Sequence, residues 1–101
     1  MARQYSISQR RIAAKIGEEF SIALDANPTT GYEWSVTIDG SAVQLASRAL
    51  ERGGSGIGAG AVERVTLRPL RKGIATVRFA LGRAWEKKPI EQHTVEVAVD
   101  A

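Results

Sequence analysis

Hydrophobic and polar residues alternate along most of this chain. At residues 32–38 the side chains Tyr, Trp, Val and Ile occupy every second position, with Glu, Ser and Thr between them. The same period of two recurs at residues 20–24, 64–68, 74–81 and 94–99. Successive side chains on a strand point to opposite faces of the sheet, so each run predicts a strand with one buried face.

Turn-forming residues separate these runs. Gly, Pro, Asn, Asp and Ser occur at residues 27–31, 39–41, 53–60, 72–73 and 82–89, and these residue types favour turns and loops. Pro69 has no backbone N–H to donate, so we expect it to end the strand that contains Leu67. We also predict an edge strand at residues 5–14. Residues 43–52 are predicted to be a further strand, although their Ala, Leu, Glu and Arg favour helix intrinsically.

Together these elements predict an all-β chain of about seven short antiparallel strands, spaced roughly 8–15 residues apart. This pattern is typical of an immunoglobulin-like two-sheet sandwich, in which Trp34 would be a buried anchor between the sheets. The chain has 101 residues. No repeat, low-complexity tract or linker divides it, so we expect a single domain over residues 1–101.

The charge distribution indicates an ordinary solvated surface. The chain carries 14 Lys and Arg against 11 Asp and Glu, a net charge of +3. The two signs are interleaved, whereas a nucleic-acid-binding face requires clustered basic residues. No apolar run approaches the roughly 18 residues of a membrane span. We therefore expect no nucleic-acid partner and no membrane partner, and we expect a monomer.

The first residues lack the apolar core of a signal peptide. We expect a periplasmic or secreted protein if a leader has been removed, and a cytoplasmic protein otherwise.

Nothing in the sequence indicates an enzyme. The chain has no cysteine and one histidine, which excludes a thiolate zinc site, a disulfide framework and a cysteine nucleophile. His93 is at the start of the last predicted strand without a positioned partner, so we interpret it as a surface or edge residue. There is no G-x-S-x-G nucleophile elbow. We expect no catalytic residue, no metal site and no cofactor.

Two of the connections carry residues that strand building does not require. In the first, residues 27–31, Pro28 fixes its own φ, Asn27 can bond the backbone two residues on, and Gly31 permits positive φ. This residue pattern predicts either a plain tight turn or a stiff loop that points two threonine hydroxyls outward. In the second, residues 53–60, five of the eight residues are glycine. Such a stretch is either a flexible linker or a backbone that can approach another surface closely. Its Gly spacing formally matches a dinucleotide fingerprint, but the segment that follows reads as strand where that fingerprint requires a helix.

The third unusual connection, residues 82–89, places Trp85 next to charged residues. Tryptophan and arginine are enriched at binding hot spots, and the alternative is an indole that folds back over the end of the core. In an immunoglobulin-like order the three segments join strands B and C, D and E, and F and G, which places them at one end of the sandwich. A rigid scaffold would then present them as one surface.

These segments resemble the motifs of the chagasin family of cysteine-peptidase inhibitors. That family's N-P-T-T-G-Y/F-x-W motif is matched in full by Asn27-Pro28-Thr29-Thr30-Gly31-Tyr32-Glu33-Trp34. Its G-x-G-G motif is similar to Gly58-Ala59-Gly60-Ala61, with alanine as the last residue. Its R-P-W motif is similar to Arg83-Ala84-Trp85, with alanine in place of proline. The order and spacing agree over residues 20–100.

The resemblance implies reversible, non-covalent inhibition of papain-like peptidases. It implies that the loop with Thr29 and Thr30 enters the catalytic centre and that the glycine-rich loop lies along one side of the cleft. It also implies that Arg83 and Trp85 pack on the other side. The peptidase-binding residues are then Asn27, Pro28, Thr29, Thr30, Gly31, Gly58, Ala59, Gly60, Arg83 and Trp85. The alternative is an immunoglobulin-like binding or structural module without peptidase inhibition, because fold alone does not settle function.

Overall fold

The computed structural model describes residues 3–26, 31–52, 61–83, 85 and 87–100. No helix among these residues is long and apolar enough to cross a membrane. The regular elements of the described chain are the strands β1 (Arg3–Ser6), β2 (Arg11–Lys15), β3 (Phe20–Ala26), β4 (Tyr32–Asp39), β5 (Val43–Arg52), β6 (Ala61–Pro69), β7 (Gly73–Arg83) and β8 (Glu91–Asp100).

The strands form two four-stranded sheets, with the orders β1-β3-β6-β5 and β2-β8-β7-β4. We call the first the β5 sheet and the second the β4 sheet. The pairs β3–β6, β5–β6, β4–β7 and β7–β8 are antiparallel. The predicted all-β, two-sheet sandwich is therefore confirmed. The segment 43–52 is a strand despite its helix-favouring composition, and Pro69 is the last residue of β6.

The N-terminal segment differs from the prediction of one edge strand at residues 5–14. β1 pairs with β3 in one sheet and β2 pairs with β8 in the other, and both pairs are parallel. Between them the polar side chains bond locally, Ser6 to the hydroxyl of Ser8 and Gln9 to the backbone carbonyl of Arg11. Such local bonds compete with a ladder. The chain therefore crosses between the sheets here, and the described residues form eight strands rather than about seven.

A hydrophobic core fills the space between the sheets. Most of its members are alternate positions of the period-two runs, as the sequence predicts. Each large aliphatic or aromatic side chain stabilises the fold by roughly 1.5–3 kcal/mol on burial. The largest fully buried side chains include Phe79, Ile22, Leu24, Leu67, Val65, Val77, Val95 and Val97.

Trp34 joins the two sheets where β4 begins. Its side chain is 5% exposed, as predicted for a buried anchor. The indole Nε1–H donates to the backbone carbonyl oxygen of Asp25 on β3, at an N–O distance of 2.8 Å. The backbone carbonyl of Trp34 accepts a hydrogen bond from Arg48 of β5, whose guanidinium also pairs with Glu63 of β6. One residue of the β4 sheet is thus bonded to two strands of the β5 sheet.

We expect Trp34→Phe to lower the free energy of unfolding by about 1–3 kcal/mol, because it leaves a cavity and removes the donor to the Asp25 carbonyl. Urea denaturation followed by circular dichroism measures the change. Trp85→Phe is the matched control, since Trp85 is 72% exposed and exposed substitutions usually stay within about 0.5 kcal/mol. Equal losses in both variants would contradict an anchoring role for Trp34.

Candidate functional site

The strand ends that flank the three motif-bearing connections lie at one end of the sandwich. In the β5 sheet, Ala26 ends β3 and Arg52 ends β5, and both are register partners of Ala61, the first residue of β6. In the β4 sheet, Tyr32 begins β4 and is the register partner of Arg83, which ends β7. We call this end of the molecule the loop end.

The two sheets are held together at the loop end. The bond from the Trp34 indole to the Asp25 carbonyl links the start of β4 to the end of β3. The third connection returns beside β7, because the N–H of Ile90 donates to the carbonyl oxygen of Leu81 at 2.8 Å. The flanks of all three connections therefore share one surface region, as the immunoglobulin-like order predicts.

Three of the residues predicted to bind a peptidase are described by the structure, namely Gly31, Arg83 and Trp85. The others lie outside the described residues, and their roles stay predictions: Asn27, Pro28, Thr29, Thr30, Gly58, Ala59 and Gly60. Ala84, which stands in place of the proline of the third motif, also lies outside them.

The indole of Trp85 lies against the end of the first connection. Gly31 has a φ of +81°, and a Cβ built there would come within 3.1 Å of the indole Cη2 atom. Glycine suits this position because it tolerates positive φ and leaves room for the ring. Trp85 is nevertheless 72% exposed. One edge of the ring therefore touches Gly31 while most of its surface faces solvent, so the indole is not folded into the core.

The guanidinium of Arg83 contacts two aromatic rings. Its Cζ lies 4.2 Å from the centroid of the Tyr32 ring and 5.6 Å from that of the Trp85 ring. Both distances are within the roughly 6 Å range of cation–π attraction. We call Tyr32, Arg83 and Trp85 the loop-end stack. The sequence places Tyr32 in an alternating run and in the first motif but not among the predicted peptidase-binding residues, because its contact with Arg83 depends on the register between β4 and β7.

Two other exposed apolar side chains lie near the loop end. Ile90, directly before β8, is 58% exposed, and Leu50 is 48% exposed. Leu50 is the register partner of Glu63, two residues from the start of β6. Neither residue was assigned to the site from the sequence, because their exposure depends on how the chain packs in three dimensions. With Trp85 they give this end the apolar character that is found in the buried centre of protein interfaces.

The single histidine of the chain lies in β8 and pairs with a carboxylate of the same strand. His93 is half-buried, its Nε2 lies 2.7 Å from Glu91 Oε2, and its ring centroid lies 6.0 Å from that of Trp34. The sequence interpretation of His93 as a surface or edge residue missed this inward contact. Across the residues that the structure describes, no three His, Cys, Asp or Glu side chains are grouped to hold a metal ion.

Comparison with known proteins identifies the family. The model of the Chagasin family peptidase inhibitor I42 matches residues 13–99. Amoebiasin-2 of Entamoeba histolytica is 30% identical over 83 residues, which are 77% of this chain and 68% of Amoebiasin-2.

Two solved structures share the fold. The crystal structure of the cysteine protease inhibitor EhICP2 from Entamoeba histolytica has a TM-score of 0.87 at 21% identity, over 98% of this chain and 96% of that one. The solution structure of Amebosin has a TM-score of 0.73 at 22% identity, over 99% of each chain. These likenesses confirm the immunoglobulin-like sandwich. The family model spans most of the sequence, so the chain belongs to the chagasin family, whose members are peptidase inhibitors and not enzymes.

Proposed function

We propose that the protein inhibits papain-like cysteine peptidases reversibly and without a covalent bond, by inserting its loop end into the active-site cleft. Membership of a peptidase-inhibitor family supports this proposal. The structural observation that carries it is the common origin of the three motif-bearing connections, beside an exposed Trp85. A convex edge made of several loops suits a cleft, whereas a flat sheet face does not.

The first connection supplies the central element of this edge. It joins β3 to β4, and therefore one sheet to the other, between strand ends that the Trp34–Asp25 bond holds together. A short connection between fixed ends has few conformations, so binding orders it at little entropic cost. In the proposed complex Thr29 and Thr30 lie next to the catalytic cysteine and histidine of the peptidase. In the same proposed complex, the inhibitor presents no peptide carbonyl to the catalytic cysteine in attack geometry.

The other two connections flank the first one. Residues 53–60 leave from β5 and β6 in one sheet, and residues 84–90 leave from β7 and β8 in the other. They consequently emerge on opposite sides of the link between the sheets. In the proposed complex the backbone of Gly58, Ala59 and Gly60 follows one wall of the cleft. The indole of Trp85 packs on apolar surface of the opposite wall.

One copy of the domain supplies all three loops, so we propose that it acts as a monomer. A standard interface of roughly 800 Å² per partner is enough for stable binding. The peptidase is the proposed macromolecular partner, with no nucleic acid and no membrane. Three arginines on the strands support this view, because they pair with carboxylates instead of forming a basic patch. These pairs are Arg64–Glu51, Arg68–Glu19 and Arg78–Asp39.

Titration of the protein into papain or cathepsin L, with a fluorogenic substrate, tests the proposal. We expect turnover to fall to zero near one equivalent and to recover after dilution, with the inhibitor intact by mass spectrometry. The absence of inhibition by a folded protein at excess would favour the binding or structural module instead.

We expect Trp85→Ala to raise the inhibition constant about 30-fold, which corresponds to the roughly 2 kcal/mol of a hot-spot anchor. Ile74→Ala is the matched control. Ile74 is 64% exposed, at the opposite end of β7, and its loss should leave the inhibition constant unchanged. If both variants inhibit like the parent, the third connection does not contact the peptidase.

We expect the double substitution Thr29→Ala/Thr30→Ala to raise the inhibition constant about tenfold, because each hydroxyl contributes roughly 0.5–1.5 kcal/mol through hydrogen bonds. Thr37→Ala on β4 is the control, since this threonine is exposed in the middle of a strand. The same steady-state assay measures both. A tenfold effect from Thr37→Ala, or no effect from the double variant, would contradict the proposed placement of the first loop in the cleft.

A further inference from the structure

The side chain of Arg83 packs against other residues of the same protein. The guanidinium contacts the Tyr32 ring at 4.2 Å and the Trp85 ring at 5.6 Å. Its Nε atom is buried. A side chain engaged in this way has only part of its surface left for a partner. The resemblance to known inhibitors implies that Arg83 packs directly on the peptidase, and these contacts indicate a different task.

We propose that Arg83 is a positioning residue, which holds the indole of Trp85 against Gly31 before a peptidase binds. This inference rests on the proposed function, since it explains how one anchor of the interface is prepared. On the free inhibitor, the stack joins the start of β4 to Trp85 of the third connection.

The ladder supports one side of the stack. Tyr32 and Arg83 are register partners at the end of the antiparallel pair β4–β7, so their backbones are fixed by that pairing. Trp85 lies two residues beyond the end of β7, where the ladder no longer restrains it. The ring contacts with Arg83 and the close approach to Gly31 are therefore the described contacts that restrict the indole.

Restricting the indole raises the affinity for a peptidase without adding a contact to it. When only a fraction of the inhibitor molecules is in the binding-competent conformation, the apparent affinity is reduced in proportion to that fraction. An exposed cation–π interaction changes such a population about two- to fivefold. Because fewer collisions are productive when the competent form is rare, removal of the stack should lower the association rate more than it raises the dissociation rate.

The shape of arginine is required as well as its charge. A planar guanidinium can stack on the faces of aromatic rings, whereas a lysine ammonium is a compact, strongly hydrated charge. Arg83→Lys therefore keeps the net charge of the loop end and weakens the stack. Tyr32→Leu removes the supporting ring from the other side, and Tyr32→Phe keeps that ring.

The test combines dynamics of the free protein with inhibition kinetics. The ¹H–¹⁵N heteronuclear NOE of the Trp85 indole reports its order, and the buried Trp34 indole in the same spectrum shows that each variant is folded. We expect Arg83→Lys and Tyr32→Leu to lower the Trp85 NOE. Against papain they should raise the inhibition constant about two- to fivefold, mainly through slower association. The inhibition constant of the double variant Arg83→Lys/Tyr32→Leu should be only slightly higher than that of either single variant, because both substitutions break the same stack.

Two controls accompany these variants. Tyr32→Phe keeps the ring and should retain the Trp85 NOE of the free protein. Arg78→Lys, at a residue that pairs with Asp39 on the exposed face of β7, repeats the arginine-to-lysine change away from the stack and should change neither the Trp85 NOE nor the inhibition constant.

The proposal is overturned if Arg83→Lys weakens inhibition while the Trp85 NOE stays at the parent value, since Arg83 would then contact the peptidase directly. It is also overturned if neither Arg83→Lys nor Tyr32→Leu lowers the NOE. Failure of the parent protein to inhibit any papain-like peptidase would refute the proposed function alone, because the NOE comparison is made on the free protein and still decides whether Arg83 positions Trp85.

Discussion

The link that Trp34 makes between the two sheets determines the shape of the loop end. A hydrophobic core is non-directional, so it presses the sheets together without specifying how their ends align. The indole N–H bond to the Asp25 carbonyl is directional, as is the bond from Arg48 to the Trp34 carbonyl. Both lie close to the ends of β3 and β4. They therefore set the gap that residues 27–31 must span.

The arrangement of the loops around that link follows from topology. Each connection at this end either crosses between the sheets or stays within one of them. The first connection joins β3 of one sheet to β4 of the other, whereas the second and third connections each join neighbouring strands of one sheet. Strand pairing alone therefore distinguishes the crossing connection from the other two. Local contacts such as the loop-end stack then refine a layout that strand pairing has already imposed.

The same distinction explains how much could be predicted from the sequence. Period-two alternation depends on neighbouring residues, so most strands and most of the core were predicted from it, whereas residues 43–52 were predicted as a strand despite a composition that favours helix. It carries no information on which sheet a strand joins, so residues 5–14 were read as one strand although β1 and β2 belong to different sheets. The loop motifs indicated Gly31, Arg83 and Trp85. The contact of Tyr32 with Arg83 and the exposure of Leu50 depend on long-range register, which no local pattern encodes.

The loop-end stack also bears on Ala84, which stands where the family motif has proline. A proline in a compatible conformation favours the ordered state by about 0.4–1 kcal/mol, because it removes backbone conformations from the alternative ensemble. An exposed cation–π contact contributes about 0.5–1 kcal/mol. The two effects are equal in size, and the stack involves the residues on both sides of position 84. The side chains of Tyr32 and Arg83 are therefore sufficient to offset the missing backbone restraint, provided that they act on the free inhibitor.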